Sequence, residues 1–371
     1  MDTLVILGAS ITALAVARDA HAHGLSPVVV DRDAGPATLC RYAKVVTTPD
    51  GDDLAFLEQL DSLAGPGSAL ISTSDYWLRF IVRHRARLDA AFAWILHPRN
   101  EALDICLDKS AFARWCKAAA LPTPLTWNGL RDSVPDTARL PFLLRPANTL
   151  HNNRELGIPK AVQVFEQSEL EQWLARYAAA SLEPLVSESL LGRDLEQISV
   201  SFARRGDRSL VLSARKIRPA AHRCAVGSCV ELHPDPVATS MANKATQLLD
   251  YFGIGEMELL LDRSSGERLV IEINARPWLQ YALAPASGHD FLGLILGLPN
   301  RRAVPRVTVG KTWINLYDDL FNAFSRSVGE VRHGRISTGA YIASVSRSNV
   351  FALLDWRDLA PLLASFLRKD G

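Results

Sequence analysis

Short, unbroken apolar runs alternate with longer amphipathic stretches through the first hundred residues. Leu4-Val5-Ile6-Leu7 is apolar at every position and is followed by Gly8-Ala9-Ser10, a helically spaced stretch from about Thr12 to Gly24, and Val28-Val29-Val30 ending on Asp31. Apolar runs this short fit strands buried on both faces of a parallel sheet, and the order strand, turn, helix, strand predicts a right-handed βαβ unit. Leu54 to Leu60 then predicts a helix and Ala69-Leu70-Ile71-Ser72 a further strand. At that strand's carboxyl end, where open α/β sheets place ligands, stands Ser72-Thr73-Ser74-Asp75. The same residues offer Ser74 or Asp75 as the N-cap of a helix from Tyr76 to Arg85.

Farther along, Asp108-Lys109-Ser110 starts a helix running to about Ala120, which Leu121-Pro122-Thr123-Pro124 ends. Leu140-Pro141-Phe142-Leu143-Leu144-Arg145-Pro146 reads as an apolar strand finishing on a cation held by proline. Leu185 to Ser187 and Ser199 to Ala203 predict strands on either side of a glycine turn, and Leu210 to Ser213 a third, which leads into Arg215-Lys216-Ile217-Arg218. Glu256 to Asp262 and Leu269 to Asn274 read as a hairpin with its turn at Asp262 to Gly266. A helix from Leu359 to Leu367 closes a C-terminal stretch that packs on the core.

Composition narrows the class. With 371 residues, several packed lobes are expected; 48% hydrophobic and 22% charged residues describe an ordinary folded chain. Lys and Arg total 41 against 40 Asp and Glu, so no global field attracts nucleic acid or an anionic membrane, and anion sites must be built locally. Five scattered cysteines make a poor disulfide framework, which suits a reducing cytoplasm; Cys224 and Cys229 lack the further ligands of a zinc site. Only Asp2 and Thr3 precede the first apolar run, which argues against a signal peptide, and no apolar run is long enough to span a bilayer.

Two sequence signals suggest nucleotide chemistry. The first βαβ turn carries Gly8, Ser10 and Ala13 where a dinucleotide fingerprint needs three glycines, so an NAD(P)-dependent oxidoreductase with Asp31 on the ribose rests on an incomplete motif. The second signal is the hairpin. Alternation puts Glu272 and Asn274 on one side of their strand, and pairing across the turn can bring Glu258 beside Glu272. Carboxylate and amide oxygens of this kind suit hard Mg²⁺, whereas a carboxylate left among apolar strand residues without a partner is costly.

The order Asp108-Lys109, Arg145-Pro146, Glu188-Ser189-Leu190-Leu191-Gly192 and Glu272-Ile273-Asn274-Ala275-Arg276-Pro277 resembles the ATP-grasp superfamily of ligases. The resemblance implies an α/β fold with an N-terminal Rossmann-like lobe (1–104), a two-lobed ATP-grasp domain (105–185 and 186–300) and a C-terminal extension (301–371). It implies ATP and Mg²⁺ as ligands, with Lys109 and Arg145 on the phosphates and Glu258, Glu272 and Asn274 on the metal. Glu188, Ser189, Leu190 and Leu191 would hold adenine, and Asp194 or Glu196 the ribose; Lys160 falls in the loop that closes over the triphosphate, which here lacks a dense glycine run. Arg276 would stabilise the transferring phosphoryl group. Lys216 and Arg218 either bind the acceptor substrate or form a solvated strand edge; Trp278, Gln280 and Tyr281 either line a substrate pocket or pack the lobe. The implied reaction is ADP-forming condensation of a small-molecule carboxylate with an amine by a cytoplasmic enzyme, and a homodimer is compatible. A non-catalytic ATP-binding regulator is the remaining alternative.

Overall fold

The computed structural model describes residues 2–48, 52–147, 156–190, 192–219, 227–299, 310–325, 329 and 331–367. Two compact units form from discontinuous segments: Met1–Asn100, Ile198–Glu256 and Asn274–Gly371 make the first, Glu101–Gln197 and Met257–Ile273 the second.

The first unit opens with a parallel sheet of β1 (Thr3–Leu7), β2 (Ser26–Asp31), β3 (Lys44–Thr47), β4 (Ser68–Ser72) and β5 (Trp94–Ile95), ordered β3-β2-β1-β4-β5. Alternation divides each strand between two cores. Leu4, Ile6, Val29, Ala69 and Ile71 join the cluster containing Leu14 and Val16 of the helix Ile11–Ala22. Val5, Leu7, Val28, Val30 and Leu70 join Phe56, Leu57, Leu60, Trp77 and Phe80 from the helices Asp53–Leu63 and Asp75–Ala91. Both faces are therefore covered, which is why the strands read as continuous apolar runs. Gly8 adopts φ +113, and a Cβ there would lie 2.4 Å from Thr73 Oγ1, so only glycine fits this turn.

The second unit has an antiparallel sheet of β6 (Thr126–Asn128), β7 (Phe142–Pro146), β8 (Val162–Val164) and β9 (Pro184–Glu188), ordered β6-β9-β7-β8. Trp127, Phe142, Leu144, Val164 and Val186 pack with Leu170 and Tyr177 of the helix Gln167–Ala179.

A seven-stranded sheet comprises β10 (Leu195–Arg205), β11 (Arg208–Pro219), β12 (Gly227–Leu232), β13 (Gly253–Asp262), β14 (Arg268–Asn274), β15 (Thr312–Ile314) and β16 (Val350–Phe351), ordered β14-β13-β10-β11-β12-β15-β16. Strands β10, β13 and β14 each contribute residues to both units. The β13–β14 connection has the expected turn: Asp262 accepts from the Ser264 N–H at 2.9 Å, and its carbonyl accepts from the Gly266 N–H at 2.7 Å.

The C-terminal stretch does more than pack on the core. It supplies β15 and β16, and Trp313 of β15 is fully buried in the main cluster. Arg18 clamps the stretch to the first helix through Nε and Nη2 to Asp358 Oδ2 at 3.0 and 2.9 Å.

Candidate functional site

In the second unit, Arg145 sits on β7 between Leu144 and Pro146, on the face opposite the core residues Phe142 and Leu144. Among the described residues, its buried Nε has no hydrogen-bond partner. Burial pushes its guanidinium below the usual arginine range, and the Glu272 carboxylate opposes that shift. Lys109 is the first residue of the helix Lys109–Ala118, capped by Asp108 accepting from the Ala111 N–H at 2.7 Å. The Lys109 N–H donates to the Ala147 carbonyl at 3.1 Å, tying this helix start to the chain two residues beyond Arg145. The structure thus draws together the segments carrying the two predicted phosphate cations.

The carboxyl end of β9 carries the predicted adenine linker. Glu188 and Leu125 are bonded twice: the Glu188 N–H donates to the Leu125 carbonyl at 2.9 Å, and the Leu125 N–H to Glu188 Oε1 at 3.0 Å. Arg193 Nη2 lies 3.3 Å from Glu188 Oε2. This carboxylate therefore already holds the linker to the chain entering β6. The Ser189 hydroxyl accepts from Gln163 Nε2 at 2.6 Å, Leu190 is half-buried, and Gly192 turns the chain with φ +84. Exposed Asp194 and partly buried Glu196 both face Arg263, at 3.6 and 3.1 Å. Leu191 and residues 148–155 of the predicted phosphate-covering loop lie outside the described residues; Lys160 is exposed.

Of the predicted metal residues, Glu258 on β13 accepts from Gln197 Nε2 of β10 at 2.7 Å. Glu272 on β14 faces the charge of Arg145. Asn274, two residues beyond Glu272 on the same strand, donates through Nδ2 to Glu256 Oε2 at 3.4 Å and accepts from Arg276 Nη2 at 3.2 Å. Glu256 also accepts from the Ser199 hydroxyl. Among the described residues, no three His, Cys, Asp or Glu side chains form a group able to hold a metal; the predicted set is two carboxylates and an amide. Glu256 was missed by the sequence reading, although its two-residue spacing from Glu258 repeats that of Glu272 and Asn274.

In the first unit, Arg276 is held by Asp75, the first residue of the helix Asp75–Ala91, with Nε 2.7 Å from Oδ1 and Nη2 3.4 Å from Oδ2. Ser74 caps that helix by accepting from the Trp77 N–H at 3.3 Å, so capping and a role for Asp75 coexist at this strand end. His97 is buried next to it. Its Nε2 accepts from the Ser72 N–H at 2.7 Å, so the ring proton is on Nδ1, which donates to the Ala275 carbonyl at 3.0 Å. Burial pushes this imidazole down to about 3, against an ordinary value of 6.5. The unfolded chain therefore binds the proton first. Stability present above pH 6.5 should fall as pH drops toward 3, with a slope approaching about 1.4 kcal/mol per pH unit. Denaturant melts of wild type and His97→Gln across that range check this, the slope being shallower in the variant.

The structure corrects one expectation and decides between alternatives at two other places. Arg218 is no solvated edge: it is buried, its Nε 2.9 Å from Asp319 Oδ1, its Nη2 2.9 Å from Asp319 Oδ2 and its Nη1 2.6 Å from Ser344 Oγ. Such a pair is costly to break on one side only, so Arg218→Met should lower stability by about 3–5 kcal/mol by leaving Asp319 uncompensated, as read by chemical denaturation. Lys216, on the same strand, is half-buried. Trp278 and Tyr281 belong to the core cluster, the Tyr281 hydroxyl donating to Asp19 Oδ2 at 2.7 Å, and buried Gln280 donates to the Gly227 carbonyl at 3.2 Å. These three side chains pack the unit. The first βαβ turn is also occupied: the Ala9 carbonyl accepts from the Ala37 N–H at 3.0 Å, and a Cβ on Gly35 would fall 2.2 Å from it. Asp31, which the dinucleotide reading puts on a ribose, accepts from the Arg32 N–H at 2.8 Å.

No protein-family model matches the sequence, and no curated protein matches it. Solved structures do. The ADP complex of PurK, N5-carboxyaminoimidazole ribonucleotide synthetase, superposes with a TM-score of 0.64 at 14% identity, over 84% of this chain and 80% of that one. The same synthetase from Thermus thermophilus gives 0.62 at 19% identity, over 82% and 81%. The biotin carboxylase domain of Hydrogenobacter thermophilus 2-oxoglutarate carboxylase, a dimer with MgADP, ADP and bicarbonate, gives 0.63 at 14% identity, over 84% and 72%. The chain has the ATP-grasp fold.

Proposed function

We propose that the chain is an ATP-dependent ligase that activates a substrate carboxylate as an acyl phosphate and couples it to an amine. A carboxylate oxygen attacks the γ-phosphorus of ATP, the bond to the β-phosphate bridging oxygen breaks, and ADP leaves. The amine nitrogen then attacks the acyl carbon, gives up a proton, and phosphate leaves. The observation that carries this reading is Arg145: a buried guanidinium whose Nε has no partner among the described residues is a cation awaiting an anion. The ATP-grasp neighbours supply the context, since their structures hold ADP, MgADP or, in one case, bicarbonate.

Arg145 and Lys109 would grip the phosphates, with exposed Lys160 closing over them. Glu188, Ser189, Leu190 and Leu191 would frame adenine, and Asp194 or Glu196 the ribose. The oxygen donors of Glu258, Glu272 and Asn274 are of the type Mg²⁺ takes, and the metal, when bound, would neutralise phosphate charge. Arg276 would share the charge that develops during transfer, and Lys216 is the candidate for the acceptor substrate. Arg218 is given no part, because Asp319 and Ser344 engage its guanidinium.

Calorimetric titration separates this reading from a dinucleotide enzyme. Saturable binding of ATP that strengthens with Mg²⁺, with no competition from NAD(P), is expected; tight NAD(P) binding without ATP binding would reverse the assignment.

A further inference from the structure

We infer that His97 is a positioning residue that fixes the Asn274-Ala275-Arg276 segment through the Ala275 carbonyl. The inference rests on the ligase reading, because Asn274 and Arg276 are its proposed metal and phosphoryl contacts.

The geometry leaves His97 no other chemistry. Both ring nitrogens are used, Nε2 by the Ser72 N–H and Nδ1 by the Ala275 carbonyl, and the residue is 1% exposed. Desolvation keeps it neutral, which excludes it as an acid, a base or a charged anchor at neutral pH. What remains is mechanical: the ring is a rigid strut between the carboxyl end of β4 and a main-chain atom flanked by Asn274 and Arg276. Its own backbone is fixed from another side. Gly253, at φ +127, opens β13 so close to this chain that a Cβ would lie 2.8 Å from the Leu96 carbonyl and 3.3 Å from His97 Cα.

The strut acts together with Asp75. Ser72 and Asp75 are three residues apart; one receives the ring and the other receives the Arg276 guanidinium. Arg276 in turn donates to Asn274 Oδ1, and Asn274 Nδ2 donates to Glu256. The carbonyl oxygen of Ala275 and the side chains on either side of it are thus restrained at once, which is how a catalytic geometry is held to a fraction of an ångström.

Two conservative variants separate the strut's two ends. In His97→Asn the amide nitrogen occupies the position of Nδ1 and keeps the donor to Ala275 while losing the acceptor for Ser72. In His97→Gln the amide reaches the position of Nε2 and keeps the Ser72 bond while losing Ala275. His97→Leu loses both. Binding of Mn²⁺ with ATP, read from the electron paramagnetic resonance of free Mn²⁺, needs no turnover and is measured alongside kcat and KM for ATP. Positioning through Ala275 predicts that His97→Asn retains Mn²⁺·ATP affinity and kcat within about 5-fold, whereas His97→Gln and His97→Leu each lose about 10- to 100-fold. The shape of the pH-rate profile should stay that of wild type. Equal losses in the Asn and Gln variants, following their melting temperatures, would reduce His97 to a packing residue. Wild-type values in a folded His97→Leu protein would overturn the role outright. Wild-type protein that binds no Mn²⁺·ATP contradicts the ligase reading and this inference with it; normal binding by wild type and His97→Gln alike contradicts this inference alone.

Discussion

Glu272→Gln is expected to lower ADP release at least about 100-fold while the protein keeps its fold. Glutamine has nearly the same size and keeps one acceptor oxygen, so the substitution removes the carboxylate charge with little change in shape. That charge has two uses: it is the proposed metal donor on β14, and it opposes the desolvation of the Arg145 guanidinium. Weakening the hold on the metal that would neutralise the transferring phosphoryl group should cost at least as much as losing one transition-state hydrogen-bond donor, on the order of 10²–10³ in rate. Steady-state ADP release against Mg²⁺ concentration is the measurement, with a thermal melt to verify folding. A variant active to within a factor of two would remove Glu272 from the metal set.

Arg145→Met should separate stability from binding. The wild-type side chain holds a desolvated cation whose Nε finds no partner among the described residues, an arrangement that disfavours the empty protein. An apolar residue of similar length removes that burden but leaves the Glu272 carboxylate without its cation; the two effects oppose each other, so the melting temperature without nucleotide should stay near that of wild type. ATP affinity should fall about 10- to 150-fold, the worth of a charge-assisted hydrogen bond of about 1.5–3 kcal/mol. Arg145→Lys should recover only part of it, because an ammonium keeps the charge but lacks the planar fork. Unchanged ATP affinity in the methionine variant would mean that another group meets the phosphates.

These expectations rest on features that local pattern exposes unevenly. The apolar runs of β1, β2 and β4 announce a parallel sheet because both of their faces are covered, and the β13–β14 hairpin is announced by its two apolar strands around Asp262 to Gly266. The contributions of β15 and β16 were not legible: strands of three and two residues are shorter than any periodicity. The fate of Arg218 was hidden for a different reason. Its neighbours Arg215 and Lys216 suggest an exposed basic edge, yet its partner Asp319 arrives from 101 residues away, and only tertiary folding reveals it. His97 illustrates the same limit, since nothing around Leu96-His97-Pro98 points to Ser72 or to Ala275. Glu256 was within reach, because a two-residue repeat of acids on one strand places both on one side. The discontinuous make-up of the two units follows from β10, β13 and β14 each serving both, which no linear division of the chain can express.

The central claim is that MgATP is consumed only when an acid and an amine are both supplied. The most direct test incubates purified protein with MgATP and pooled carboxylates that lack amino groups, including bicarbonate, and pooled amines that lack carboxylates, each pool with and without the other, and separates the nucleotides. ADP and phosphate are expected in equal amounts, dependent on both pools and lost in Glu272→Gln. ATP that binds but yields no ADP with any pool, or yields AMP and pyrophosphate instead, would contradict it.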